Sequence, residues 1–273
     1  MNELQNITQY ILMKKQDILN AFARILVILG IKKIHQCFVK NDTTTNELKK
    51  IQQRRSELLS AESKSEEEME ELEVLSNKLE AEAAKETQGL QDELKNVGVY
   101  IYTVWDLVNT RKPYPQAIDI LIDHLNEDYD EGNIEGIVRA LTVKEAKGKA
   151  TQALIKKYGE TPKVKDNLRW VIGNAIATVM TLKDVDWIYQ TVLDRSNGGS
   201  RSQLVYALGT VKTEKSEDIL ISLLDDPDVL PQAIAALGRL KSKKAKDKIV
   251  LLNQSKNSLI RLESKKALKK IGD

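Results

Sequence analysis

Apolar positions along this chain recur at helical spacings, and the rhythm changes twice. In the first segment Leu4, Ile7, Ile11, Ile18, Phe22, Ile25 and Leu29 fall three, four and seven residues apart, which describes one stripe along a helix. Asn41 to Thr45 interrupts the pattern. Thr44-Thr-Asn-Glu47 has the capping-box spacing, in which a threonine oxygen and a glutamate each satisfy a free backbone amide, so a new helix is expected to start there. From there Leu48, Ile51, Leu58, Met69, Leu72, Leu79, Leu90 and Val97 keep mostly to a seven-residue grid, as in a coiled coil, although Arg55, Glu62 and Ser65 also fall on it. The damaged stretch holds two further capping boxes, Ser63 to Glu66 and Ser65 to Glu68. The chain is therefore expected to turn back between Ser60 and Glu68, setting Leu59 near Met69, Ile51 near Leu75 and Leu48 near Leu79. The alternative is one unbroken helix of about 75 Å at 1.5 Å per residue.

Beyond Val97 the pattern becomes a repeat. Ala175-Ile-Ala-Thr-Val-Met180 and Ala233-Ile-Ala-Ala-Leu-Gly238 are versions of one phrase, and Asp119-Ile-Leu-Ile122 recurs as Asp218-Ile-Leu-Ile221. Counting back from Asn109, Thr142, Met180, Gly209, Gly238 and Gly272, the preceding residue is Val108, Leu141, Val179, Leu208, Leu237 and Ile271. Four back lie Trp105, Val138, Ile176, Val205, Ile234 and Leu268. One and four back share a helix face, so these positions predict the buried stripe of each second helix. Two back, Ala140, Thr178, Ala207 and Ala236 are small and allow neighbouring helices to approach. Reference residues 33, 38, 29, 29 and 34 apart give about six helix pairs over residues 98–273. One helix pair cannot bury its apolar face alone, which is why such units stack.

This arrangement resembles the HEAT-like repeat family, in particular the short bacterial type related to the phycobilin-lyase repeats, with Ala233 to Gly238 and the lysine-rich turn after it as the clearest instance. The resemblance covers residues 98–273 and leaves 1–97 as a separate helical region with a coiled-coil hairpin. It implies an all-α chain ending in a right-handed α-solenoid, whose second helices line a concave surface and whose family mostly binds other macromolecules. The iron-dependent hydroxylases of the family carry His-Glu pairs, which this chain lacks. The DNA-glycosylase branch needs a basic groove with aromatics and an acid.

If second helices line the groove, positions three and six back should face it. Three back are Asp106, Arg139, Ala177, Tyr206, Ala235 and Lys269; six back are Thr103, Gly136, Asn174, Gln203, Gln232 and Lys266. The middle of that face is small and neutral, with an amide row of Asn174, Gln203 and Gln232. Amides donate to and accept from an extended peptide backbone, whereas a duplex needs several cations to neutralise phosphates. The same residues also suit an ordinary solvated face. Trp170, ten back from Met180, is the tryptophan expected to anchor a partner; Trp105 lies on the buried stripe. The expected partner-binding residues are thus Arg139, Trp170, Asn174, Gln203, Tyr206 and Gln232.

Composition narrows the function further. The chain is 41% apolar with only 13 glycines and 5 prolines among 273 residues, which favours helix throughout. Net charge is +2, but residues 41–97 hold 8 Lys/Arg against 15 acids, and 241–273 hold 11 against 3. The basic end contains Lys265, Lys266, Lys269 and Lys270, a patch able to meet nucleic acid or an acidic protein, or to act as the polar cap a solenoid end requires. No aromatic follows Lys241, so base stacking has no support there. Ile18 to Ile31 is almost continuously apolar but too short to span a bilayer, and a signal-peptide pattern is absent. The single cysteine, Cys37, allows no internal disulfide and points to a reducing cytoplasm. Two distant histidines, no Gly-rich phosphate loop and no nucleophile motif leave no metal, cofactor or catalytic set. The expectation is a non-enzymatic protein-interaction scaffold or adaptor that binds a peptide or helix in the groove, with the coiled-coil region giving self-association or a second contact. Two rivals are a nucleic-acid-associated protein using the terminal lysines and an accessory subunit of a lyase-type enzyme.

Overall fold

The computed structural model describes residues 32–272, with side chains from 46 onward, and the stripe of apolar residues between Leu4 and Leu29 lies outside them. Among the described residues every regular element is a helix. Contacts divide the chain into two compact units that meet between Glu82 and Ala83.

In the first unit, α1 (Lys32–Ser60) and the start of α2 (Glu66–Glu86) form an antiparallel helical hairpin. The turn is held by the Ser65 capping box: the Glu68 amide donates to Ser65 Oγ at 3.2 Å, and the Ser65 amide to Glu68 Oε2 at 2.9 Å. Arg54 forks onto both Glu71 carboxylate oxygens at 2.9 and 2.7 Å, Arg55 Nε donates to Ser76 Oγ at 3.0 Å, and Lys78 pairs with Glu47 at 2.6 Å. One expectation changes. The helix runs straight through Asn41 to Thr45, because five residues of ordinary propensity cost only a few tenths of a kcal/mol each and no glycine or proline stops propagation. The buried hairpin residues are Ile51 and Leu58, while Leu59 and Met69, beside the turn, are both more than half exposed.

The second unit contains α3 (Gln88–Asn96), α4 (Trp105–Asn109), α5 (Ile118–His124), α6 (Glu131–Ala140), α7 (Thr151–Glu160), α8 (Asp166–Val179), α9 (Val185–Leu193), α10 (Ser202–Leu208), α11 (Glu214–Ser222), α12 (Leu230–Leu240), α13 (Lys246–Leu252) and α14 (Ser258–Ile271). Five consecutive helix pairs, α5–α6 to α13–α14, pack internally, and each second helix packs on the next: α4 on α6, then α8, α10, α12 and α14. This is an α-solenoid with one continuous apolar core. The stack starts earlier than the repeat phrase. Leu90 and Leu94 of α3 are fully buried in that core and α3 packs on α5, so the first layer reaches back before residue 98.

In the four inner layers the stripe read from sequence is the core, while Trp105, Val108 and Leu268 of the end layers are half-buried against it. Leu141, Val179, Leu208 and Leu237 one back, and Val138, Ile176, Val205 and Ile234 four back, are all fully buried. Each contributes about 1.5–3 kcal/mol relative to exposure. Small residues then set the approach of second helices. A Cβ on Gly238 would lie 2.7 Å from the Ala267 Cα, and one on Gly209 would lie 2.8 Å from the Ala236 Cα, so the backbones of α10, α12 and α14 nearly touch. Ala140, Ala207 and Ala236 are buried as this requires, but Thr178 faces solvent, its hydroxyl returned to the Asn174 carbonyl at 3.0 Å.

Candidate partner-binding face

Buried polar staples fix the second helices in register. The Arg201 guanidinium, with no solvent exposure, donates to the Val192 carbonyl and to Asp226 Oδ2, both at 2.7 Å. It thereby ties the end of α9 to the turn that opens α12. Arg169 donates to the carbonyls of Tyr158 at 2.7 Å and Thr161 at 2.8 Å and to Asn197 Oδ1 at 2.7 Å, with the Tyr158 ring stacked 4.0 Å below its charge. The apolar periodicity gave no sign of these arginines. Their only signal was a charge at the mouth of a second helix, next to the carbonyls a preceding helix leaves open.

Asn174 of α8, Gln203 of α10 and Gln232 of α12 occupy equivalent positions on helices that pack side by side, and all three are half-buried. Gln232 Oε1 is shielded from solvent and accepts no hydrogen bond. Trp170 stands at the start of this face, 37% exposed, with Nε1 donating to Ser202 Oγ at 3.0 Å across to α10. Tyr206 is 39% exposed and lies 5.3 Å beneath the Arg239 guanidinium of α12. Arg139 lies on the same register of α6, its Nε held by Glu135 at 2.7 Å.

The face is not uniform. At the six-back position the first two layers close: Thr103 is buried, and Gly136 is covered by Val104 and Trp105 of α4, so neither reaches the surface. Trp105 itself packs against the core, as expected. Arg239, one residue past Gly238, and Leu259 and Leu262 of α14, about half exposed, extend the same stripe. Sequence reasoning stopped at three and six back and missed them, although three- and four-residue spacing continues to each.

The terminal lysines Lys265, Lys266, Lys269 and Lys270 are all exposed on α14. Their charge is partly met, since Lys266 pairs with Glu263 at 2.7 Å. Farther back, Lys244 reaches Glu214 at 2.9 Å and Asp218 at 3.4 Å, and these carboxylates raise its pKa. Among the described residues no group of His, Cys, Asp and Glu is placed to hold a metal ion. His124 is engaged elsewhere, stacked on Tyr129 with its Nδ1 2.6 Å from the phenol oxygen. No described helix is long and apolar enough to cross a membrane.

Comparison with known proteins places the second half of this unit. Residues 185–269, from α9 into α14, match the HEAT repeats family and form a HEAT-like repeat segment. No curated protein matches the chain. Among solved structures a designed armadillo repeat protein is similar, 17% identical, covering 81% of this chain and 99% of its own, with a TM-score of 0.35.

Proposed function

We propose that the chain is a non-enzymatic cytoplasmic scaffold or adaptor that holds a peptide or helix of a protein partner on the exposed face of α8, α10 and α12. The observation that carries this reading is the amide row of Asn174, Gln203 and Gln232, repeated at one register on three adjacent helices. Spaced amides can pair with successive backbone groups of an extended segment. The unpartnered Gln232 oxygen favours it too, since an unsatisfied buried acceptor costs about 1–3 kcal/mol and a rotation of the amide would offer it to an incoming N–H. Trp170 and Tyr206 supply rigid contact area beside the amides, the kind of residue that concentrates binding energy. In this reading residues 98–273 are the binding domain, and residues 1–97, as a coiled-coil region, give self-association or a second contact.

The test compares proteins captured from the native cell by wild type and by the Asn174→Ala, Gln203→Ala, Gln232→Ala triple variant, with circular dichroism confirming equal helicity. A partner enriched by wild type and lost with the variant supports the reading; equal enrichment refutes it. The exposed lysines of α14 favour one rival, nucleic-acid binding. That rival requires affinity falling steeply with salt and with neutralisation of Lys265, Lys266, Lys269 and Lys270.

A further inference from the structure

An open surface cleft of about 310 Å³ lies between the segment that follows α4 and the segment that follows α6. Four cations line it, Arg111, Lys112, Arg139 and Lys144, against one lining acid, Glu145. Arg139 is engaged by Glu135 at 2.7 Å, and Lys144 lies 3.8 Å from Glu145. Arg111 and Lys112 are exposed and have no ion pair among the described residues. The Lys112 amide donates to Thr110 Oγ1 at 3.1 Å, which holds the turn that presents both side chains. Between the charges, Val108, Pro113 and Val143 give the cleft apolar lining. The Tyr114 hydroxyl donates its proton to the Ala140 carbonyl at 2.9 Å and so leaves no donor for a ligand.

We propose that this cleft takes an acidic peptide segment in which carboxylates flank one apolar side chain. The inference rests on reading the second-helix face as a peptide surface, which the cleft joins at Arg139. Uncompensated guanidinium and ammonium groups beside apolar lining match a carboxylate next to an aliphatic anchor, because charge-assisted bonds and apolar burial are then satisfied together. A nucleic acid fits less well. Phosphate recognition needs closely spaced cations along a track, and the next cations on the face, Arg239 of α12 and the lysines of α14, are separated from Arg139 by uncharged Asn174, Gln203 and Gln232. The one aromatic ring lining the cleft, Tyr114, is buried and gives a base no surface to stack on.

The test uses the full chain and fluorescence anisotropy. The probes are a fluorescein-labelled twelve-residue peptide of Asp and Glu around a central Leu, its Asn/Gln counterpart, and inorganic phosphate as competitor. The acidic peptide is expected to bind at least about tenfold more tightly than the amide peptide. Arg111→Ala with Lys112→Ala, both exposed and so neutral to folding, should remove that preference without affecting the amide peptide. Equal affinity for the two peptides, unchanged binding by the double variant, or displacement by phosphate where equal ionic strength of chloride displaces nothing would each overturn the proposal. The amide-row triple variant separates the two readings. If it binds both peptides as wild type does while the double variant loses the acidic one, the broader face fails and the cleft stands; the opposite pattern fails the cleft alone.

Discussion

Gly238 lies inside α12, where helix propensity alone favours alanine by about 1 kcal/mol. An added Cβ would meet the Ala267 Cα at 2.7 Å and Cβ at 2.8 Å, and a backbone atom cannot swing aside as a flexible side chain would. Overpacking of this kind costs about 1–3 kcal/mol, so Gly238→Ala should destabilise, and a lowered midpoint in urea unfolding checks it. The sequence showed that small residues recur near this position. It did not show that the contact is with backbone, because that depends on the separation of helices 29 residues and more apart. Tyr114 makes a second test. Burial first, and the Glu145 carboxylate second, raise its phenol above the ordinary value of 10.0. A raised folded pKa gives stability that is full below about pH 10 and lost as pH rises through the folded value. Tyr114→Phe should therefore cost about 1 kcal/mol at pH 8 through the lost bond to the Ala140 carbonyl. The gap from wild type should narrow at pH 11, as paired denaturation curves would show; a gap that widens with pH contradicts this.

At the scale of elements, helices were legible where apolar residues and caps agreed. The hairpin turn formed where Ser65 and Glu68 placed it, since both partners of that box lie within one turn. The box signal at Thr44 went unused as a helix start, because a cap only helps a helix that is already ending nearby, and the segments on both sides propagate. Long-range staples were illegible: nothing local says that Arg201 will meet Asp226. That pair is 0% and 2% exposed. Removing one partner leaves a buried charge alone, so Asp226→Ala should cost about 3–5 kcal/mol, by far the largest loss among these variants. Thermal unfolding followed at 222 nm measures it, and a change below about 1 kcal/mol would mean that water or Asp228, 3.9 Å away, replaces the lost carboxylate.

For the whole molecule, the repeat was readable because each layer restates one burial problem, and the buried stripe followed from a register of one and four back. The face opposite was readable only in its middle. At the first layers Val104 and Trp105 cover Gly136, and Arg111 and Lys112 of the cleft sit on a connecting segment that no helical register describes. The most direct test of a binding face along the second helices is hydrogen exchange of the full chain with and without the partner that wild type captures. Slowed exchange is expected in peptides from α8, α10 and α12, with the first helices α7, α9 and α11 unchanged. Protection confined to the lysine-bearing α14, or spread equally over first and second helices, would contradict it.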